Sequence, residues 1–89
     1  MHLYTILLDY AGGTYVAQTG ATDEKAAVRD WLGKLRSDRV AGAVSEEVAA
    51  AFDGAMDSPL PLGGLAGAWC VSVSARQGLA LVNIVKTAT

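Results

Sequence analysis

Two pairs of strand-forming runs, one at each end of the chain, constrain the fold of this sequence more than any other feature. The first pair is Leu3–Tyr10 and Thr14–Thr19, and a Gly-Gly sequence lies between the two runs. Because glycine supplies the positive φ of a tight turn, this segment is predicted to form a β-hairpin. The second pair, Trp69–Ser74 and Leu79–Lys86, is predicted to form another hairpin.

Successive side chains of a strand point to opposite faces, so each hairpin predicts which residues lie together. In the first hairpin, the more apolar face carries Tyr4, Ile6, Leu8, Tyr15 and Ala17. In the second hairpin, a turn of two or four residues places one set of side chains on a common face: Trp69, Val71, Val73, Ala80, Val82 and Ile84. A turn with an odd number of residues would pair these faces differently.

An amphipathic helix is predicted to follow the first hairpin. Thr22 can cap this helix, and the next two residues, Asp23 and Glu24, place negative charge in its first turn. The apolar stripe has the spacing i, i+3, i+4 and i+7, and consists of Val28, Trp31, Leu32 and Leu35. Gly33 lies inside the helix, where glycine costs about 1 kcal/mol relative to alanine, and suggests a close approach to a neighbouring element.

A second helix is predicted to begin at Ser45, and it is followed by an irregular stretch. Val48, Ala51, Phe52 and Ala55 repeat the helical spacing. Residues 57–67 contain two prolines, which stop the helix and favour extended backbone before them. The element order is therefore β-β-α-α-β-β. This order predicts one α+β domain over residues 1–89, a two-layer sandwich with an antiparallel four-stranded sheet and both helices on one face.

Composition excludes several classes of function. A net charge of −2 excludes a sequence-wide phosphate-binding surface and disfavours nucleic acid as a partner, although it is compatible with a local basic patch. One cysteine excludes an intramolecular disulfide and the four-ligand zinc patterns. No apolar run approaches the ~18–20 residues of a membrane helix, and no signal-peptide pattern is present. We therefore expect a cytoplasmic protein of bacterial type with no membrane partner.

No pattern in the sequence predicts a catalytic, cofactor-binding or metal site. Cys70 is the only thiol, and the only histidine, His2, is expected at a frayed N-terminus, so no base is available to activate the thiol. The run Gly63–Gly67 follows a helix and contains no lysine, unlike a Walker loop or a dinucleotide-binding loop. An enzyme is therefore the less favoured interpretation.

Two surfaces are candidates for binding. One is the irregular loop, because loops of this length are often functional; its candidate residues are Pro59, Pro61, Gly63 and Gly64. The other is the reverse face of the sheet, whose apolar side chains are Leu3, Leu7, Val16, Leu79, Leu81 and Val85. Soluble monomers rarely expose such a patch, so a homodimer is predicted to bury it, and pairing of edge strands would be a second route to association.

A resemblance to a known family concerns residues 3–36. The segments Tyr4–Leu8, Gly12–Ala17 and Gly20–Ala26 resemble the start of HicB-type antitoxins, which have a strand, a glycine turn before Tyr-Val, and a helix start of the form G-x-T-x-E-[EA]-A. The chain lacks the third strand of that family with its Pro-Gly-Cys turn, and it ends in a hairpin instead of a DNA-binding segment. The resemblance implies a domain that binds a protein toxin, and it does not extend to the DNA-dependent autoregulation of that family.

The leading hypothesis is a non-catalytic interaction or regulatory domain that self-associates. The alternative is a small-molecule-binding domain or minor enzyme with a pocket near residues 57–67. A pocket lined by aromatic side chains and converging polar groups would favour this alternative, whereas a filled core would favour the first hypothesis. The aromatic residues concerned are Tyr4, Tyr15, Trp31 and Trp69.

Overall fold

The structure is a computed structural model that describes residues 1–53 and 59–88, an α+β arrangement of helices and an antiparallel sheet. The described strands are β1 (His2–Tyr10), β2 (Gly13–Ala21), β3 (Leu60–Pro61), β4 (Ala68–Ala75) and β5 (Gly78–Ala88). The described helices are α1 (Glu24–Ser37) and α2 (Ser45–Asp53), and a 3-10 turn, Gly42–Val44, precedes α2. The predicted start of α2 at Ser45 is confirmed, whereas Ala55 and Asp57 lie outside the described residues.

The sheet has five strands in the order β2-β1-β5-β4-β3, and every neighbouring pair is antiparallel. The prediction of four strands is therefore wrong. The extra strand is β3, which lies within the stretch predicted to be irregular and pairs with Cys70 and Trp69 of β4. Proline favours extended backbone in the residue before it. It also lacks a backbone N–H, and on the outer side of an edge strand that N–H would have no partner strand, so a short edge strand tolerates Pro61.

Both long hairpins have two-residue turns, and this confirms the predicted faces. Ala11 and Gly12 form the first turn, with φ values of 51° and 80°. Two consecutive positive φ values are typical of the turn that matches the twist of a hairpin. Arg76 and Gln77 form the second turn, since Ala75 pairs with Gly78. The even-numbered turn sets the second hairpin in the predicted register.

The helices cover one face of the sheet, and the core lies between the two layers. The predicted core residues of both hairpins contribute to this core, with Ile6, Leu8, Val82 and Ile84 fully buried. From the helices, Trp31 and Phe52 are 2% and 3% exposed, and their rings meet edge to face at 5.8 Å. The predicted burial of Trp31 and Phe52 is confirmed.

The cap of α1 is Asp23, one residue later than predicted. The Asp23 carboxylate accepts a hydrogen bond from the backbone N–H of Ala26 at 2.8 Å, and its own backbone is extended. This is the position from which a side-chain oxygen reaches the third N–H of the helix. Thr22 is exposed and lies before the cap.

Gly33 makes no close approach, contrary to the prediction from its position in α1. A Cβ atom built at Gly33 would have no neighbouring atom within 4 Å, and its φ is not positive. We therefore expect Gly33→Ala to raise the free energy of unfolding by about 0.4–1 kcal/mol, because alanine restricts the unfolded chain. Chemical denaturation of the two proteins measures the difference. A less stable variant would contradict the open surroundings of Gly33.

Candidate functional site

The face of the sheet that points away from the helices, here called the outer face, is the candidate site. The strand register places all the predicted interface residues on it: Leu3, Leu7, Val16, Leu79, Leu81 and Val85. Leu79 and Val16 are 61% and 59% exposed, and Leu3 is 36% exposed. The other three side chains are half-buried by their neighbours within the sheet.

The outer face is almost free of charge. Among the described residues, the strand alternation places a single charged side chain, Asp9, on this face, and Lys86 lies on the helix side opposite Tyr4. The Asp9 carboxylate accepts a hydrogen bond from the Thr14 hydroxyl at 2.7 Å. A sheet face that meets only water commonly carries charged side chains, so this composition favours contact with another surface.

The polar side chains of the outer face bond to one another. The Gln18 amide donates to the Thr5 hydroxyl at 3.0 Å, and the Thr5 hydroxyl donates to that of Thr87 at 3.2 Å. The Thr87 hydroxyl in turn lies 3.1 Å from the backbone carbonyl of Leu3. These bonds satisfy polar groups within the sheet, which lowers the cost of removing this row from water.

The structure does not bring together the two residues considered for nucleophilic or proton-transfer chemistry, because β5 lies between their strands. Cys70 is a half-buried strand residue of β4, in register with Leu60 and Asn83. His2 does not lie at a frayed terminus, because it pairs with Ala21 in the sheet and is half-buried. Within residues 1–53 and 59–88, no group of three His, Cys, Asp or Glu side chains is placed to hold a metal ion.

The candidate binding loop lies at the β3 edge of the sheet. Pro59 is half-buried, whereas Pro61, Gly63 and Gly64 are exposed. The backbone N–H of Leu62 donates to the carbonyl of Ala68 at 2.9 Å, which ties the loop to the start of β4. The loop is therefore an exposed turn that is anchored to the sheet.

An open groove of about 630 Å³ lies at the other end of β4, away from this loop. Its lining residues come from α2, the turn before it, the end of β4 and the turn that follows β4: Ala43, Glu46, Glu47, Ala50, Ala51, Ser74, Ala75 and Arg76. The four aromatic residues considered as pocket lining belong instead to the core, where Tyr4 and Trp31 are buried and Tyr15 and Trp69 pack against it. These contacts favour the filled-core interpretation.

Sequence reasoning missed a hydrogen-bonded network beside this groove. The Tyr10 hydroxyl donates to the Glu47 carboxylate at 2.5 Å and accepts the backbone N–H of Gln77 at 2.7 Å. The Gln77 side chain donates to the same carboxylate oxygen at 3.0 Å. The network thus links the end of β1, the start of α2 and the β4–β5 turn. Residues 10, 47 and 77 are so far apart in sequence that no local spacing signals it.

The network shifts the pKa values of its two titratable groups in opposite directions. The hydrogen bonds from Tyr10 and Gln77 lower the pKa of Glu47 below its usual 4.5. Burial raises the pKa of Tyr10 above 10.0, and the bond to Glu47 adds to this rise. The charged carboxylate and the neutral phenol are therefore the forms that the fold favours.

We expect this network to make the stability of the protein dependent on pH. Because the folded pKa of Glu47 is lowered, its contribution is present above pH 4.5 and is lost as the pH falls through the folded value. Because the folded pKa of Tyr10 is raised, its contribution is present below pH 10.0 and is lost as the pH rises through the folded value. Denaturation of wild type and Glu47→Gln measures the acid limb.

Glu46→Gln is the matched control for this experiment, since Glu46 is exposed on the same helix turn. Wild type and Glu46→Gln should lose stability in parallel on acidification. Glu47→Gln should start less stable at neutral pH and show a flatter acid limb. Identical pH profiles for all three proteins would contradict a structural role for the network.

The described part of the chain contains no helix that is both long and apolar enough to cross a membrane.

The resemblance of residues 3–36 to HicB-type antitoxins stays a prediction. Compared with protein-family models, curated proteins and solved structures, the chain has no significant match.

Proposed function

We propose that this protein is a non-catalytic interaction domain of the bacterial cytoplasm, and that it forms a homodimer through the outer face of its sheet. The observation that carries the proposal is the combination of exposed Leu79 and Val16 with a face on which Asp9 is the single charged residue among those described. A homodimer would remove these side chains from water without burying an unpaired lysine or arginine.

The geometry of the outer face suits a two-fold contact. Consider two copies stacked by their outer faces, with a two-fold axis between the sheets and perpendicular to the strands. This axis places the Asp9 end of β1 in one copy over the Leu3 end of β1 in the other. The two Asp9 carboxylates then lie at opposite ends of the interface and do not repel each other. Full burial of a leucine or valine side chain contributes roughly 1.5–3 kcal/mol to stability. Leu79 and Val16 are the most exposed residues of this face, so burial in a dimer would add most of that free energy for each of them.

The test is Leu7→Glu, because Leu7 lies between Val16 and Asn83 on neighbouring strands. A carboxylate at this position would be buried unpaired in the interface, so we expect the variant to have half the wild-type mass by analytical ultracentrifugation. Circular dichroism should show an intact fold, because the side chain leaves the core unchanged.

Arg29→Glu provides the matched control, since Arg29 is exposed on α1 and lies on the opposite side of the molecule from the outer face. It changes the net charge more than Leu7→Glu does, and it should keep the wild-type mass. The proposal fails if wild type is a monomer at high micromolar concentration, or if Leu7→Glu assembles as wild type does.

A further inference from the structure

We propose that β2 is a second self-association surface, at which the β2 strands of two copies pair antiparallel into one continuous sheet. This inference concerns the edge of the sheet, and it is independent of the contact proposed for the outer face. It rests on three observations. The outward backbone groups of β2 have no partner strand among those described, the opposite β3 edge is short and contains proline, and two β2 strands can pair in a register that does not disturb the Lys34 bond.

The outward backbone groups of β2 follow from the first hairpin. A two-residue turn is closed by a hydrogen-bonded pair, here Tyr10 with Gly13, and bonded pairs then alternate along an antiparallel ladder. The N–H and C=O groups of alternate residues therefore point away from β1; these residues are Thr14, Val16, Gln18 and Gly20. The Gln18 carbonyl confirms the alternation, because it accepts a bond from the Lys34 ammonium at 3.1 Å.

The two edges of the sheet differ in how they resist pairing. The β3 edge is two residues long and contains Pro61, with Pro59 just before it, and short proline-containing edges resist the addition of a strand. The β2 edge is nine residues long and contains neither proline nor a charged side chain. Among the described residues, Lys34 of α1 bonds to the Gln18 carbonyl, and Asp30 of α1 accepts a bond from the Thr19 hydroxyl on the helix side of the strand. An open, uncharged edge of this length is a template for another strand.

The Lys34 contact selects a register for this pairing. If the two-fold axis passes through Tyr15, each Thr14 lies opposite Val16 of the second copy. The N–H and C=O groups of these two residues then form four hydrogen bonds, and none of them uses the Gln18 carbonyl. In the same register Gln18 lies beside Gly12 of the second copy. Lys34 therefore keeps its bond to the Gln18 carbonyl, and the β1–β2 turn of the second copy that lies next to it carries no charge.

A second copy is the occupant that this edge fits. Antiparallel self-pairing brings each side chain of β2 against side chains of the same strand, and a charged residue near the axis would then meet its own like charge. Since β2 carries no charge, the two copies oppose no like charges. The isologous contact also satisfies the open groups of both copies at once.

Val16→Pro tests the edge directly. The Val16 N–H points away from β1, so proline removes no intramolecular hydrogen bond and keeps an apolar side chain on the outer face. Val16→Ala is the matched control, because it reduces the apolar side chain but keeps the N–H. Both substitutions are made in wild type and in Leu7→Glu, and masses are measured by analytical ultracentrifugation.

If both surfaces form and their two-fold axes cross, wild type contains four chains, Leu7→Glu contains two joined at β2, and Leu7→Glu with Val16→Pro is a monomer. Val16→Ala in the Leu7→Glu background should still give two chains. A monomeric Leu7→Glu overturns the edge pairing and leaves the outer-face contact standing. Wild-type mass for Val16→Pro also overturns the edge pairing, whereas half the wild-type mass for Val16→Pro, with the wild-type mass kept in Val16→Ala, supports it.

Amide hydrogen exchange on wild type tests the pairing even if Val16→Pro does not fold. The N–H groups of Thr14 and Val16 have no partner in β1, so they exchange rapidly in an unpaired chain. Pairing should slow both amides by at least about tenfold at high protein concentration and restore rapid exchange on dilution. Rapid exchange of both amides at high concentration overturns the pairing.

Discussion

Trp31→Ala is expected to lower the free energy of unfolding by about 3–5 kcal/mol and to leave much of the chain unfolded. Trp31 is the largest fully buried side chain, and its ring meets Phe52 at 5.8 Å between α1 and α2. Its removal would leave a cavity at the contact that holds the two helices together. A folded unit of this size buries a limited share of its surface and has little stability in reserve.

Thermal and urea denaturation, followed by circular dichroism, measure this loss. Arg29→Ala is the control, since Arg29 lies two residues earlier in α1 but is exposed. It should change stability by less than about 0.5 kcal/mol. Wild-type stability in Trp31→Ala would show that the helix layer does not pack as described.

Leu8→Ala is expected to cost about 2–5 kcal/mol, because Leu8 is fully buried beneath the helices between Tyr15 of β2 and Val82 of β5. Leu7→Ala is the matched control, as the same change one residue earlier on the same strand points to the outer face. It should cost well under half as much when the chain is dilute enough to be monomeric. Equal losses for the two variants would contradict the assignment of the faces.

The pairing of faces within each hairpin could be predicted because it depends on local rules. Alternation along a strand and an even-numbered turn determine that Leu8 faces Tyr15 and that Val71 faces Val82. The helical stripe predicted Trp31 for the same reason, since residues three and four apart lie on one side of a helix. The apolar residues of the outer face followed as the remainder of the same alternation.

Local sequence patterns could not predict the contacts between segments that are distant in the chain. The central pairing of β1 with β5 joins residues near the two ends of the chain, such as Ile6 and Ile84. The Tyr10, Glu47 and Gln77 network likewise forms only when a strand, a helix and a turn meet. Neither feature has a spacing signal, because the residues become neighbours only after the chain has folded.

The sequence by itself determined the order of the two hairpins and two helices, the residues of each face and the apolar character of the outer face, because each depends on periodicity over a few residues. The tertiary structure alone decided the strand order, the edge position of β3 and the open edge of β2. The physical reason is that backbone pairing is nearly independent of side-chain identity. Which strand becomes an edge therefore depends on how the two hairpins and the helix layer pack together.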